Sequence, residues 1–258
     1  MAGTVLYEVD EHVATITYNR PDARNAINAE LRQDLNTAWE RFRDDEDAWV
    51  GVVTGAGDSF CAGADMKDAA GSAGTWPGSF WEIPTINSYE SGLEVWKPTI
   101  AAVNGYCLGY GLTLVTRCDF VIAADDARFG FPEVRLGVPT IVGALRLPDR
   151  VGWSNAMELL LTGDRVDASR AQEMGFAWKV VPRGELMGEA RRLAGRLLQA
   201  ALLAARATKE VAARGRYLPR VEAVRFGETM RRVAAATEDA SEGLAAARER
   251  RPPNWRGR

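Results

Sequence analysis

Two glycine-rich segments and one acidic residue carry the groups of this sequence that could do chemistry. Residues 61–65 read CAGAD, residues 104–111 read NGYCLGYG, and residues 129–133 read FGFPE. The residues after Gly111 favour a helix, and the start of a helix offers unpaired backbone N–H groups and a positive dipole end to an anion. Glu133 could take and return a proton if burial raised its pKa. The combination is typical of a site where negative charge develops on an oxygen atom.

The same residues also have a purely structural interpretation. Gly105, Gly109 and Gly111 could simply permit a tight turn between a strand and a helix, and Glu133 follows Pro132, where a carboxylate often starts a helix. CAGAD upstream favours the functional interpretation of the second turn, whereas the residues alone favour the structural interpretation of Glu133.

Other catalytic patterns are not met by the sequence. Residues 54–59, TGAGDS, lack the Gly-Lys-Ser/Thr of a phosphate-binding P-loop, and residues 105–111 do not match GxGxxG. The only histidine, His12, falls in a predicted hairpin, so a serine or cysteine triad would lack its base. Three cysteines without CxxC or zinc-type spacing indicate neither a disulfide framework nor a metal site, and they fit a reducing cytoplasm.

Composition is that of an ordinary globular protein. The 258 residues are 47% hydrophobic and 26% charged, with a net charge of −3 that gives no attraction to nucleic acid or to an acidic membrane. The N-terminus lacks a basic region followed by an apolar run, and no stretch is apolar for long enough to span a bilayer. We therefore expect a cytoplasmic protein with no membrane or nucleic-acid partner.

Periodicity along the chain predicts an α/β core followed by helices. Residues 5–9 and 13–18 alternate like the strands of a hairpin, Asn28 is placed to cap a helix with one apolar stripe, and further short strands are expected at 49–54, 99–103, 119–123 and 177–181. The pattern turns helical from Gly152 and is almost wholly helical after Pro182. This division predicts a core over residues 1–184 and a helical region over residues 185–258.

Residues 69–96 combine loop-forming glycines and prolines with large aromatic side chains, among them Trp76, Phe80, Trp81 and Tyr89. Aromatic side chains in loops usually fold back onto the body of a protein, but they can also line an apolar pocket. We expect this segment to shape a substrate pocket.

In their order and spacing these motifs resemble the crotonase (enoyl-CoA hydratase/isomerase) superfamily. The resemblance runs from Asn19-Arg20-Pro21 through residues 161–165, LTGDR, to Glu238-Asp239 and Glu242-Gly243 near the C-terminus. It implies an α/β fold with a crotonase-type core of repeated strand-strand-helix units and a helical C-terminal oligomerisation region. It also implies assembly into a homotrimer or homohexamer.

The resemblance implies a site for an acyl-CoA thioester. The backbone N–H groups of Ala64 and Tyr110 would hold the thioester carbonyl oxygen, with Gly109 as a possible substitute because the family most often has glycine where this chain has Tyr110. Glu133 matches the second glutamate of hydratases and would transfer the proton. Thr113 stands where hydratases carry the first glutamate, and its hydroxyl could hold water or a substrate oxygen.

The CoA portion would contact the loop around Arg24 and the first turn. By resemblance the binding residues are Arg24, Ala26, Ala62, Asp65, Met66 and Lys67, with Gly109 near the thioester. Of these, Arg24 and Lys67 could attract phosphate. No metal or redox cofactor is implied, since coenzyme A is part of the substrate.

Three functions remain open from the sequence. The first is an acyl-CoA lyase of the hydratase/dehydratase type, the second a double-bond isomerase that uses Glu133 alone, and the third a catalytically silent acyl-CoA- or RNA-binding member. The acidic balance argues against RNA. The sequence does not identify the acyl group or the reaction.

Overall fold

The computed structural model describes residues 3–67 and 88–258. Its strands are β1 Val5–Asp10, β2 Val13–Tyr18, β3 Val50–Gly55, β4 Thr99–Val103, β5 Tyr106–Leu108, β6 Phe120–Ala124, β7 Arg128–Gly130, β8 Arg165–Asp167 and β9 Lys179–Val181. Its α-helices are α1 Ala29–Asp44, α2 Tyr110–Val115, α3 Val142–Val151, α4 Trp153–Thr162, α5 Ala168–Glu173, α6 Leu186–Leu197, α7 Leu202–Gly215, α8 Arg220–Ala235 and α9 Glu238–Glu249. Short 3₁₀ turns lie at Pro21–Ala23, Pro132–Leu136 and Arg183–Glu185.

The larger sheet has the order β1-β2-β3-β4-β6-β9. β1 and β2 form an antiparallel hairpin, and the following neighbours are parallel. Parallel neighbours place the carboxyl ends of their strands at one edge of the sheet, so the segments that follow β3 and β4 emerge side by side. Those segments are the two glycine-rich turns.

Both faces of the central strands are covered. Along β4, Ile100 and Ala102 face one hydrophobic cluster while Ala101 and Val103 face the other. Helix α6 covers the first of these faces with residues that include Leu186 and Leu193. Burial on both sides explains why the central strands read as continuous apolar runs and not as alternating ones.

A smaller sheet, β5-β7-β8, places the third motif beside the second turn. β5 runs parallel to β7 and pairs Leu108 with Gly130, and β8 adds an antiparallel edge. Because β5 leads into Gly109 and β7 leads into Pro132 and Glu133, this register brings the glutamate next to the glycine turn.

Most of the predicted elements are present, and the fold class is confirmed. The β1–β2 hairpin forms, and Asn28 caps α1 by accepting the Leu31 N–H at 2.9 Å. Three short strands, β5, β7 and β8, were not predicted, since three residues are too few for a periodic pattern. Helix α6 begins just after the predicted boundary at 184/185 yet packs on the sheet, so the core continues through it; the boundary itself stays a prediction.

The aromatic segment is only partly within the described residues. Trp76, Phe80 and Trp81 lie outside them. Tyr89 is described and fully buried, stacked on Trp39 with ring centroids 3.8 Å apart, and its hydroxyl donates to Thr99 Oγ1 at 3.1 Å. Tyr89 therefore belongs to the core, and the expectation that it lines a pocket was wrong for this residue.

A substitution at Gly105 tests how closely the segments around the two glycine-rich turns are packed. Its φ is +53°, and a Cβ built there would lie 1.9 Å from the Asp58 carbonyl oxygen. We expect Gly105→Ala to lower the free energy of unfolding by about 1–3 kcal/mol, measured by urea denaturation. Gly188→Ala is the control, because Gly188 lies in α6 with no atom near its Cβ position, and it should gain up to about 1 kcal/mol. Equal stability of the two variants would contradict this account.

Candidate active site

The two glycine-rich turns are joined by a short backbone ladder. The Cys61 N–H donates to the Tyr106 carbonyl at 2.8 Å, and the Leu108 N–H donates to the Cys61 carbonyl at 2.9 Å. A Cβ on Gly63 would lie only 3.3 Å from the Leu108 carbonyl oxygen. The turns therefore lie in direct contact, and glycine at position 63 allows this approach.

Two asparagine side chains fix the loops around this ladder. Asn104 Nδ2 donates to the carbonyls of Gly55 and Gly57, both at 3.0 Å. Buried Asn25 donates to the carbonyls of Ala56 and Ser59 at 2.9 and 2.7 Å. Each amide binds two backbone carbonyls at or just after the end of β3, which holds the turns in one geometry. The Gly57 carbonyl also accepts from Arg183 Nη2 at 2.8 Å.

The backbone N–H groups of the turns are almost all used within the fold. The Gly63 N–H donates to Cys61 Sγ at 3.4 Å, the Asp65 N–H to the Ile27 carbonyl at 2.9 Å, and the Gly109 N–H to the Gly130 carbonyl at 2.9 Å. Gly109 is thus not free to substitute for Tyr110 as a carbonyl donor, and that part of the sequence prediction was wrong.

The N–H groups of Ala64 and Tyr110 differ from their neighbours. Across residues 3–67 and 88–258, neither donates to an acceptor of the protein. Tyr110 is the first residue of α2, where the N–H has no intrahelical partner. These two N–H groups, one from each of two touching turns, could together hold one anionic oxygen.

The Cys61 thiol is part of the scaffold and not a nucleophile. Burial raises its pKa to about 12, against the opposing effect of the Gly63 and Gly111 N–H groups. A Cβ on Gly111 would lie 2.6 Å from Cys61 Cβ, so the thiol also fills the space that this glycine leaves open. A neutral, buried thiol of this kind is unreactive.

Glu133 lies directly beside the second turn. Its Oε1 is 2.9 Å from the position a Cβ on Gly109 would take, so glycine there makes room for the carboxylate. Glu133 Oε2 is buried, and no hydrogen bond of ordinary length from the described residues reaches it. Burial raises the pKa of Glu133, although the Glu133 backbone N–H and the Thr140 hydroxyl oppose the shift. The carboxylate is therefore poised to exchange a proton with a ligand.

Thr113 lies one turn along α2 from Tyr110 and is buried. Its Oγ1 is 3.0 Å from the Cβ position of Gly143, next to the Phe131 ring. The hydroxyl makes no hydrogen bond to other described residues, and in particular does not bond back to the preceding turn. It is available to a water molecule or a substrate oxygen.

The Tyr110 side chain has partners that the sequence did not reveal. Its hydroxyl donates to Glu90 Oε1, and the Arg32 guanidinium lies 5.0 Å from the centre of its ring. Glu90 is buried and also accepts from Ser88 Oγ at 2.6 Å. No motif marked Glu90, because its position next to Tyr110 depends on a contact between distant segments.

The predicted CoA-binding residues separate into two groups. The Asp65 carboxylate is used by the fold: it accepts from the Lys67 N–H and pairs with Arg20 at 3.2 Å, which lowers its pKa. Arg20 also donates to the Ala26 carbonyl, so it joins the loop to the first turn, a role the sequence did not indicate.

The other residues of the predicted CoA site remain accessible. Within the described part of the chain, neither Arg24 nor Lys67 forms an ion pair, and both are exposed. Met66 is exposed and Ala62 is half-buried. The Arg24 guanidinium lies 5.8 Å from the centre of the Tyr106 ring, so its charge stays near the turns.

Comparison with known proteins places this geometry in a family. The sequence profile described as Enoyl-CoA hydratase/isomerase matches residues 8–258. A probable enoyl-CoA hydratase of Mycobacterium bovis is 40% identical over 253 residues, which cover 98% of this chain and 97% of that protein. The chain belongs to the enoyl-CoA hydratase/isomerase family. The crotonase resemblance inferred from the motifs is thereby confirmed.

Two further proteins are similar to this chain over almost their whole length. The (E)-benzylidenesuccinyl-CoA hydratase of Thauera aromatica is 37% identical over 255 residues, covering 98% of this chain and 99% of that protein. The crystal structure of an enoyl-CoA hydratase from Mycobacterium tuberculosis superposes with a TM-score of 0.90 at 35% identity over the full length of both chains.

In the described residues we find no helix with the length and apolarity that crossing a membrane requires.

Proposed function

We propose that this protein is an acyl-CoA lyase that adds water to, or removes it from, the double bond of an enoyl-CoA thioester. The observation that carries the proposal is the pair of N–H groups on Ala64 and Tyr110, which donate to no described residue, beside Glu133, a half-buried residue with its Oε2 buried. Family membership and relatives named as hydratases support it.

The proposed hydration needs one carboxylate. Glu133 takes a proton from water while the water oxygen bonds to the β-carbon, and the electrons of the double bond move to the thioester oxygen. The Ala64 and Tyr110 N–H groups hold the resulting enolate, since losing one such donor typically costs about 3 kcal/mol in transition-state stabilisation. Glu133 then returns the proton to the α-carbon. Only water and protons move, so this step requires no metal or redox cofactor.

We propose that exposed charged residues near the two turns bind the CoA portion of the substrate. Arg24 and Lys67 would meet the phosphates of CoA, while Ala26, Ala62 and Met66 would contact its other parts. Asp65 also holds the turn through its ion pair with Arg20. We also propose a cytoplasmic location, supported by three cysteines that are all free thiols.

A double-bond isomerase is the second candidate. The observation that favours it is Thr113. Of the two positions where hydratases carry a glutamate, this leaves a carboxylate only at Glu133. An isomerase would move a proton from one carbon to another and would add no water. Analysis of the products formed from aliphatic and aromatic enoyl-CoA thioesters separates the two reactions.

The first prediction from the proposed function concerns Glu133. Glu133→Gln should lower kcat by about 100-fold or more, because it removes the proton acceptor and keeps the size of the side chain. The raised pKa of Glu133 also means that wild-type kcat/KM should fall on the acid side at a pH above the ordinary carboxyl value of about 4.5. The variant's residual activity should lack this acid limb. Steady-state assays across pH measure both effects.

Glu11→Gln serves as the matched control, because it makes the same change at an exposed turn. It should behave like the wild type. A Glu133→Gln enzyme with full turnover would refute the proposed mechanism.

The second prediction concerns Thr113. Thr113→Val removes the hydroxyl and keeps the shape of the side chain, so hydration should slow by about tenfold, the value of one hydrogen bond to water. Thr113→Ser keeps the hydroxyl and should stay within about threefold of the wild type. If valine lowers hydration no more than serine does, Thr113 does not position the water and the isomerase candidate gains support.

The third prediction concerns assembly, which we propose to be a trimer or a dimer of trimers. Helix α8 buries no residue and exposes 62, 56 and 62% of Val221, Val224 and Val233. Apolar surface of this kind usually marks an interface. Light scattering should give a trimer or hexamer at micromolar concentration, and Val221→Lys with Val224→Lys should shift it to smaller species. Arg225→Lys on the same helix is the control. A stable wild-type monomer would contradict the proposal.

A further inference from the structure

Glu90 is a buried carboxylate that the proposed reaction does not use. Only 6% of the residue is exposed, yet no lysine or arginine in the described residues lies within ion-pair distance of it. Its Oε1 accepts hydrogen bonds from Ser88 Oγ and from the Tyr110 hydroxyl. A carboxylate removed from water without a cation is costly, and such groups concentrate at functional sites.

Arg146 lies near Glu90 but is not placed to form an ion pair with it. Its guanidinium is close enough for Glu90 to oppose the fall in the Arg146 pKa that burial causes. It nevertheless makes no ion pair with Glu90, and its own Nη1 is buried without a partner. The oxygen of Glu90 is bonded to hydroxyl groups instead, one of which belongs to Tyr110.

Tyr110 connects this carboxylate to the proposed reaction. Its backbone N–H is one of the two proposed oxyanion donors, and its phenol extends to Glu90. Burial and the Glu90 charge raise the pKa of the phenol, so it stays protonated and donates to the carboxylate. Arg32 covers the ring from α1. The side chain is therefore held at both its ring and its hydroxyl.

The direction of the Tyr110 N–H depends on the backbone of Gly109, whose N–H donates to the Gly130 carbonyl and whose carbonyl accepts from the Thr113 N–H, both at 2.9 Å. Gly109, immediately before Tyr110, has φ +52° and ψ −117°, a conformation that glycine adopts at low cost and other residues avoid. Rotation about the Gly109 bonds would redirect the Tyr110 N–H. A tyrosine tied to Glu90 on one side and followed by helix α2 on the other resists that rotation.

We propose that Glu90 is a positioning residue, which aims the Tyr110 N–H at the thioester oxygen by holding the Tyr110 phenol. The proposal rests on the proposed function, because it assigns Glu90 to the same oxyanion site. It also explains how a tyrosine serves at a position where glycine is usual in the family: the bulky side chain is anchored away from the reacting atoms.

The experiment compares four single variants of the full-length protein, together with the double variant that combines Glu90→Leu with Tyr110→Phe. Glu90→Leu and Tyr110→Phe each remove the bond, and Glu90→Gln keeps a carbonyl acceptor without the charge. Glu94→Gln is the matched control, because Glu94 is an exposed carboxylate four residues away that pairs with Arg214. Steady-state kinetics on an active enoyl-CoA substrate are measured together with hydrogen–deuterium exchange of peptides covering residues 105–115.

We expect Glu90→Leu and Tyr110→Phe each to lower kcat by about tenfold, a fraction of the 100-fold or more that follows complete loss of an oxyanion donor. KM should change less than twofold, because the CoA contacts are untouched. The double variant should be no slower than either single one. Glu90→Gln should recover most of the loss, and Glu94→Gln should match the wild type.

Hydrogen exchange gives a readout that does not need turnover. The Gly109 N–H donates to the Gly130 carbonyl and the Thr113 N–H donates to the Gly109 carbonyl, which protects both amides from exchange. These two amide hydrogens should exchange faster in Glu90→Leu and in Tyr110→Phe. If no enoyl-CoA is turned over by the wild type, the proposed function fails while exchange still tests the positioning. Unchanged exchange in both variants, or unchanged kcat in an active enzyme, would overturn the inference.

Discussion

The backbone ladder between the two glycine-rich turns is the constraint on which the rest of the site depends. Hydrogen bonds from Cys61 to Tyr106 and from Leu108 to Cys61 bring together segments that follow different strands of the sheet. Once they are joined, sulfur and carbonyl acceptors take up most of the surrounding N–H groups. In the described part of the chain, the N–H groups of Ala64 and Tyr110 donate to no acceptor of the protein. Donors held in place by the fold need no reorganisation when a ligand oxygen arrives, which is how a preorganised oxyanion site gains its effect.

Two carboxylates lie next to this turn in different environments. Glu133 is beside the Gly109 backbone with one buried oxygen unpaired, so burial raises its pKa and suits it to exchange protons. Glu90 accepts hydrogen bonds from two hydroxyl groups, which stabilise a carboxylate in place. Different surroundings thus give the same type of side chain different tasks. We propose that the first reacts and that the second holds Tyr110.

Local sequence predicted those parts of the protein that depend on local patterns. The hairpin, the Asn28 cap, the buried strand β4 and the start of α2 are all set by neighbouring residues, and the motif order indicated the family. Glu90 and Arg20 were missed because each acts through a contact with a distant segment. Gly109 was proposed as a donor because sequence cannot show that Gly130 accepts its N–H. The three-residue strands that create this contact are too short to leave a period.

The two departures from the hydratase pattern, Tyr110 and Thr113, are neighbours on helix α2. Residues three apart share a helix face, so the side chains at these positions must be compatible with each other. The Tyr110 hydroxyl donates to Glu90 Oε1, and Glu133 approaches the preceding residue, Gly109. Thr113 Oγ1 lies 3.0 Å from the Cβ position of Gly143, next to the Phe131 ring. A carboxylate in that buried, apolar setting would be costly to ionise, whereas a neutral hydroxyl is not and can still bind water. Threonine is therefore physically consistent with the surroundings of position 113, and the oxyanion site that we propose works with one reacting glutamate.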